Sequence, residues 1–218
     1  MFFSNTVKAR RAALQTQFDV RREFETYEES CVPSYVHPFL PAAWVAWRRP
    51  IAAAKLYDSL APDGPILDFG SATGEVRFLM RKARGPYHFV EQTDVLAAAL
   101  VRESPDATRE YSGALGENRF AAVFALDSLE HNELEELDPL LEQLARSMRP
   151  DGVFILSGPT ENALYKFGRK LAGFEGHYHH MTIHDIERVV ANRFRKVGAR
   201  MEPAALAPLF SITAWKVK

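Results

Sequence analysis

The chain has 218 residues, 47% of them hydrophobic, enough to bury one substantial core without disulfides or a structural metal. Its 27 basic and 28 acidic residues leave no general attraction to nucleic acid, and one cysteine, Cys31, rules out an internal disulfide and points to a reducing, cytoplasmic setting. No apolar run reaches the roughly twenty residues of a membrane span, and Met1-Phe-Phe-Ser lacks the long apolar core of a signal peptide, so neither stable membrane insertion nor secretion is expected.

Residues 1–64 read as helices. The first runs from about Thr6 to Glu29, with Arg10, Arg11, Arg21 and Arg22 on a solvated face. A break follows at Cys31-Val-Pro-Ser-Tyr-Val-His-Pro-Phe-Leu-Pro41, then a helix from Ala42 to Leu60 with a kink expected at Pro50. Trp44 and Trp47, with Phe39 and Tyr35, either line a pocket or pack the helix on its neighbours.

Pro65-Ile-Leu-Asp-Phe-Gly-Ser-Ala-Thr-Gly-Glu-Val-Arg-Phe-Leu79 is the most informative stretch. An apolar strand closes on Asp68, passes through glycines and enters a helix, so backbone N–H groups can meet a nucleotide-like ligand. A dinucleotide fingerprint fails, because its three glycine positions fall on Gly70, Ala72 and Glu75. Ala72 is expected to keep an ordinary negative φ, with its methyl turned away from the ligand.

Tyr87-His-Phe-Val-Glu91 forms a second short strand ending in an acid about twenty residues past the loop, where nucleotide-binding α/β units hold ribose hydroxyls. Glu91 is therefore preferred over Asp94, whose charge the helix dipole explains by itself; Thr93 caps that helix. Thr108-Arg-Glu-Tyr-Ser112 is a third, weaker strand. Phe120-Ala-Ala-Val-Phe-Ala-Leu126 is a fourth, leading into Asp127-Ser-Leu-Glu130-His131-Asn132. Asn132 and Glu135 form a cap pair for a helix whose apolar stripe is Leu134, Leu137, Leu141, Leu144 and Met148. Arg149-Pro-Asp-Gly152 turns the chain into Val153-Phe-Ile-Leu-Ser157, an apolar run suited to burial on both faces.

Between Gly158 and His184 lies an insertion. Thr160 caps a helix to Leu171, and four of the seven histidines, His177, His179, His180 and His184, fall within eight positions. Their spacing lacks a cysteine partner and a shared helical face, which argues against zinc. Thr182 with Asp185 makes a capping box, with Ile183, Ile186, Val190 and Phe194 inward. Phe194–Arg200 and Leu209–Val217 close the chain as two strands.

Asp68-Phe-Gly70-Ser-Ala72-Thr-Gly74 resembles the first motif of class I S-adenosylmethionine-dependent methyltransferases, with Ala72 in place of the middle glycine. The acid-His ending of the fourth strand and the Arg-Pro turn before the fifth fit the same family, over about residues 65 to 160. The resemblance implies an α/β fold: a Rossmann-like, seven-stranded, mostly parallel sheet with helices on both faces and its last strand antiparallel. An N-terminal helical cap (1–64) would shape the substrate pocket, and the cofactor domain (65–218) would carry a lid near 158–184. S-adenosyl-L-methionine would lie against Asp68, Gly70, Ser71, Ala72, Gly74, Glu91, Gln92, Leu126 and Asp127. The family's acid at the adenine is missing after Ser112, leaving backbone or Glu117.

The implied reaction is in-line methyl transfer to a small-molecule acceptor, aligned at about 3 Å with water excluded; a base is optional. His131, at the end of the fourth strand, is the first candidate for a proton acceptor, and His180 on the lid the second. Glu130 either orients that imidazole or binds an acceptor cation. No metal and no nucleic-acid partner is expected, and the acceptor's identity and the oligomeric state are not encoded in any motif. A non-catalytic cofactor-binding protein and an RNA methyltransferase are the alternative classes; the latter calls for a basic channel that a nearly neutral chain lacks.

Overall fold

The computed structural model describes residues 3–19, 30–60, 62–172, 181–204 and 207–218. Its chain order is α1 (Asn5–Gln17), α2 (Val32–Val36), α3 (Leu40–Leu60), β1 (Ile66–Phe69), α4 (Glu75–Leu79), β2 (Tyr87–Val90), α5 (Asp94–Glu103), β3 (Thr108–Arg109) and β4 (Phe120–Leu126). Then come α6 (Leu134–Ser147), β5 (Met148–Pro159), α7 (Ala163–Leu171), α8 (Ile183–Arg193), β6 (Phe194–Glu202) and β7 (Phe210–Val217).

The strands form one seven-stranded sheet in the order β3-β2-β1-β4-β5-β7-β6. Pairs among β1 to β5 are parallel, and β7 runs antiparallel to both β5 and β6. Period-two alternation sends each strand's side chains to opposite layers. On β4, Val123 and Ala125 join Leu137, Leu141, Leu144, Ile186 and Val190 of α6 and α8 on one face. Ala122 and Phe124 pack on the other face with Ala53, Leu56 and Tyr57 of α3 and Leu100 of α5. A smaller cluster, Val7, Leu14, Val32, Tyr35 and Trp47, ties α1 and α2 to α3 and to Leu96 of α5.

β1 is the switch point: the chain leaves it for β2 on one side and returns to β4 on the other. In such sheets the crevice outside the carboxyl ends of the diverging strands receives the ligand.

Several local expectations need correcting. α1 stops at Gln17, with Phe18 extended, and the rest of the expected helix lies outside the described residues, as do Arg21 and Arg22. Arg10 and Arg11 are not solvated but 6% and 8% exposed, because each guanidinium has buried acceptors. The Cys31–Pro41 break contains the short helix α2, and α3 continues through Pro50 as one element. β3 is reduced to two residues.

The cap of α6 is Glu133, boxed with Glu136, one position beyond the expected Asn132 and Glu135 pair; Asn132 instead donates to Ser128 and Leu129 carbonyls. Leu134, at the first turn, is 59% exposed. α7 is capped by Asn162, whose side chain accepts from Tyr165 N at 2.8 Å, while the Thr160 hydroxyl donates to the Pro208 carbonyl. The Thr182 and Asp185 box forms as expected at the start of α8. β5 pairs at Met148, bulges through Arg149–Gly152 and resumes at Val153.

Candidate active site

The ends of β1, β2 and β4 frame a cleft of about 810 Å³, with Phe69, Gly70, Ala72, Glu91, Gln92 and Ser128 in its wall. Two backbone features shape it. Gly70 takes φ +70°, and a Cβ there would collide with the Cβ of Ser128, so the loop closes on β4 only through glycine. Ala72 takes φ +47°, not the negative value expected of it. Its left-handed strain is held by Glu91, whose carboxylate accepts from Ala72 N at 2.8 Å and from Thr93 N at 2.8 Å. Each Glu91 oxygen keeps acceptor capacity for a ligand hydroxyl. Thr93 itself makes no side-chain cap bond to α5.

Asp94 points away: its side chain is 90% exposed and paired with Arg109. Asp68 is buried beneath the loop and accepts a hydrogen bond from the Tyr87 hydroxyl; burial raises its pKa to about 7. Gly74 is needed at φ +70° beside the Leu100 side chain, so its constraint is helix packing rather than ligand approach. Ser71 is buried in the same turn. Glu117, offered for the adenine end, instead pairs with Arg146 and is about 60% exposed. Ser112 lines the cleft, and the buried Ser128 hydroxyl has no hydrogen-bond partner among the described residues.

A second cavity, about 260 Å³, sits between the N-terminal helices and α7. Its walls are mainly apolar, with Phe39, Pro41, Val45, Leu171, Leu209 and Phe210. It meets the cleft at Ser30, Cys31, Asp127 and His131, which border both. Phe39 thus joins the pocket. Trp44 and Trp47 do not border it; Trp47 is buried and its indole N–H donates to the Tyr35 carbonyl at 3.0 Å.

Polar groups concentrate where the two spaces meet. Arg49, buried on α3, forms an ion pair with Asp127 just past Leu126 and donates to Cys31 Sγ at 2.9 Å and the Tyr35 hydroxyl at 3.4 Å. Asp127 also accepts from Ser157 Oγ at 2.9 Å, and its φ of +51° places a second strained residue at the cleft. Burial pushes the Cys31 thiol up to about 11, so it is no nucleophile at neutral pH. Glu130 and His131 occupy a single 3-10 turn, Leu129–His131.

Arg49 was missed by sequence reasoning. The arginine pair Arg48-Arg49 before Pro50, in an alanine-rich helix, was the available signal, but the partner of Arg49 lies far along the chain. His177, His179 and His180 lie outside the described residues, so the lid histidine has no position here; His184 is exposed on α8. Among the described residues no three His, Cys, Asp or Glu side chains gather as a metal site, and no helix is long and apolar enough to cross a membrane.

A methyltransferase-domain family model matches residues 42–211, most of the chain. No curated protein matches the sequence. Among solved structures, magnesium protoporphyrin IX methyltransferase from Synechocystis, with bound SAH, is 16% identical at TM-score 0.67, covering 91% of this chain and 100% of that one. The 1,6-didemethyltoxoflavin-N1-methyltransferase of Burkholderia thailandensis is 17% identical at TM-score 0.61, covering 90% of each chain. The PH0226 protein of Pyrococcus horikoshii is 16% identical at TM-score 0.65, over 79% of this chain and 92% of that one. At such identities these likenesses speak for the fold, while the family match covers the cleft, the Arg49 to Asp127 junction and the sheet that carries both: the chain belongs to the methyltransferase-domain family and is an S-adenosylmethionine-dependent enzyme of it.

Proposed function

We propose that the chain transfers a methyl group from S-adenosylmethionine to a small molecule held in the 260 Å³ cavity. One observation carries this reading: the cavity and the cleft share Asp127 and His131, just past the end of β4, as wall residues, so an acceptor there adjoins whatever the cleft holds. The cleft suits the cofactor in shape and donor set, with an acid at Glu91, an unpartnered Ser128 hydroxyl and a glycine-closed loop. In this reading Gly70, Ala72, Glu91, Gln92 and Ser128 contact the cofactor. Asp68, Ser71 and Gly74 hold the loop's shape from below, and Leu126 and Asp127 set the boundary to the acceptor. When bound, S-adenosylmethionine supplies a methyl group already activated on a sulfonium.

The protein's share is then alignment and dryness. Residues 1–64 serve as the cap that walls the acceptor cavity, and 158–184 as its lid, over a cofactor-binding domain spanning 65–218. The Arg49 and Asp127 pair fixes the cap to the end of β4, so the two binding spaces keep one relative position. His131 stands at the junction, where an imidazole can take a proton from an acceptor hydroxyl or amine. A cytoplasmic location agrees with the solitary, protonated Cys31 thiol.

The test is calorimetric titration of the protein with S-adenosylmethionine and with its demethylated product, alongside Gly70→Val. Micromolar binding by the parent and none by a folded variant is expected; a parent that binds neither compound loses this reading.

A further inference from the structure

Glu130 is a buried acid that the alignment of cofactor and acceptor does not require. It is 1% exposed, borders the acceptor cavity, and accepts no hydrogen bond at either carboxyl oxygen from another described residue. Leaving a buried polar group unpartnered costs about 1 to 3 kcal/mol, so its place against a cavity needs a reason. Its neighbour Asp127 has the opposite fate, tied to Arg49 and to Ser157. Arg49 is thereby committed, and among the described residues Glu130 is left as a second acid without an ion-pair partner of its own.

We propose that Glu130 is the recognition group for the methyl acceptor, and that the acceptor is a small amine: an apolar body bearing a positively charged nitrogen. This deepens the methyltransferase reading and rests on it for the word acceptor. The apolar walls at Val45, Leu171 and Phe210 take the body, and the floor takes the charge.

Burial first, and the charge of Asp127 second, hold the Glu130 carboxyl well above the ordinary carboxylate range. The other titratable or charged groups around this floor are Cys31 and Arg49 from the cap, His131 on the same turn, and Glu161, Tyr165 and Arg169 from the lid segment. A cation brought within hydrogen-bond reach reverses the balance, since it favours the ionised acid. Docking an ammonium therefore favours the ionised form of Glu130, any proton on its carboxyl passing to solvent; the ammonium then gives one of its three protons to a base at the junction, where His131 stands, before its nitrogen takes the methyl group. A neutral alcohol brings no such charge. An anion would meet Asp127 close by.

The experiment is calorimetry on the full chain with benzylamine, benzyl alcohol and benzoate, with and without S-adenosylhomocysteine, in two buffers of different ionisation enthalpy. Wild-type protein is expected to bind the amine at least about tenfold more tightly than the alcohol, with benzoate weakest, and to release up to one proton per amine at any pH where the free acid still holds its proton. Glu130→Gln should lower amine affinity by about 10- to 100-fold, leave the alcohol within about threefold, and end the proton release.

Alcohol or benzoate binding as tightly as the amine overturns the proposal, as does failure of the amine to bind at millimolar concentration. A folded Glu130→Gln protein that keeps the amine preference overturns it too. Should that variant fail to fold, the wild-type ranking and proton release decide. Amine preference without S-adenosylhomocysteine binding would keep the amine site and remove the methyltransferase reading; the converse result would do the reverse.

Discussion

Glu91 fastens the Ala72 amide at 2.8 Å, so the acid at the end of β2 shapes the loop after β1 as well as presenting itself to the cleft. Glu91→Ala therefore removes the loop anchor together with the ligand contact proposed for it. The expected loss in S-adenosylmethionine affinity is about 30- to 1000-fold, from charge-assisted hydrogen bonds worth about 2 to 4 kcal/mol in sum. Asp94→Ala, at a side chain 90% exposed, should change it less than about threefold. Calorimetry that ranks the two variants the other way would move the proposed ribose contact to Asp94.

At Ala72 the left-handed φ of +47° sets the outcome. Glycine adopts this conformation without the Cβ penalty of about 1 to 2 kcal/mol, but loses some of that gain through its freer unfolded chain. Ala72→Gly should thus leave the free energy of unfolding within about 1 kcal/mol of the parent and keep cofactor affinity within about tenfold. Ala72→Val, β-branched at positive φ, should lose more than about 2 kcal/mol in urea melts. Equal stability of the valine variant would contradict the strained geometry.

Asp68 gives the protein a pH signature. Its folded-state pKa is raised from 3.8 to about 7 by burial, so the native state holds this proton more tightly than the unfolded chain. The sign follows from linkage: its contribution to stability is greatest below pH 4, falls as pH rises toward 7, and is level above that, at up to about 1.4 kcal/mol per pH unit. Asp68→Asn keeps an acceptor for the Tyr87 hydroxyl and cannot titrate. The stability of wild type relative to this variant, from denaturant melts between pH 4 and 9, should decline up to about pH 7 and then flatten; a difference that is constant or rises with pH would place the buried proton elsewhere.

The arrangement at the β4 end separates catalysis from framework. If His131 accepts the acceptor's proton, His131→Ala should leave cofactor affinity within about twofold and reduce kcat by about 10²- to 10⁴-fold with a competent acceptor. An unchanged kcat per folded molecule, together with a lower melting temperature, would make His131 structural. Alignment alone would then carry the transfer.

Much of this architecture was legible because its signals are local. Val153–Ser157 reads as a strand buried on both faces from its own composition, and Thr182 with Asp185 closes a cap within four residues. Other features were hidden for physical reasons. Asn132 with Glu135 and Glu133 with Glu136 offer the same cap spacing one residue apart, so sequence alone does not separate them, and the structure uses the second pair. Alanine carries no mark of positive φ, so Ala72 looked ordinary. Arg49 finds Asp127 across the fold and drew no notice in the sequence, while Arg10 finds Glu75, so its place in a basic stretch wrongly assigned it to solvent. Glu130 was visible as a choice between two roles, but that no other described residue bonds its carboxyl emerges only from packing.

Arg10 spans 65 residues of sequence to grip both carboxylate oxygens of Glu75, at 2.8 and 3.1 Å, in the helix that opens directly after the glycine loop following β1. Both side chains are buried, so separating them would strand an uncompensated charge, at about 3 to 5 kcal/mol. The first helix and the loop therefore make one unit of local opening, and whatever tightens the loop lengthens the lifetime of the helix. Trypsin should record that coupling: S-adenosylhomocysteine at saturating concentration ought to slow cleavage within α1, and Glu75→Gln ought to uncouple the two.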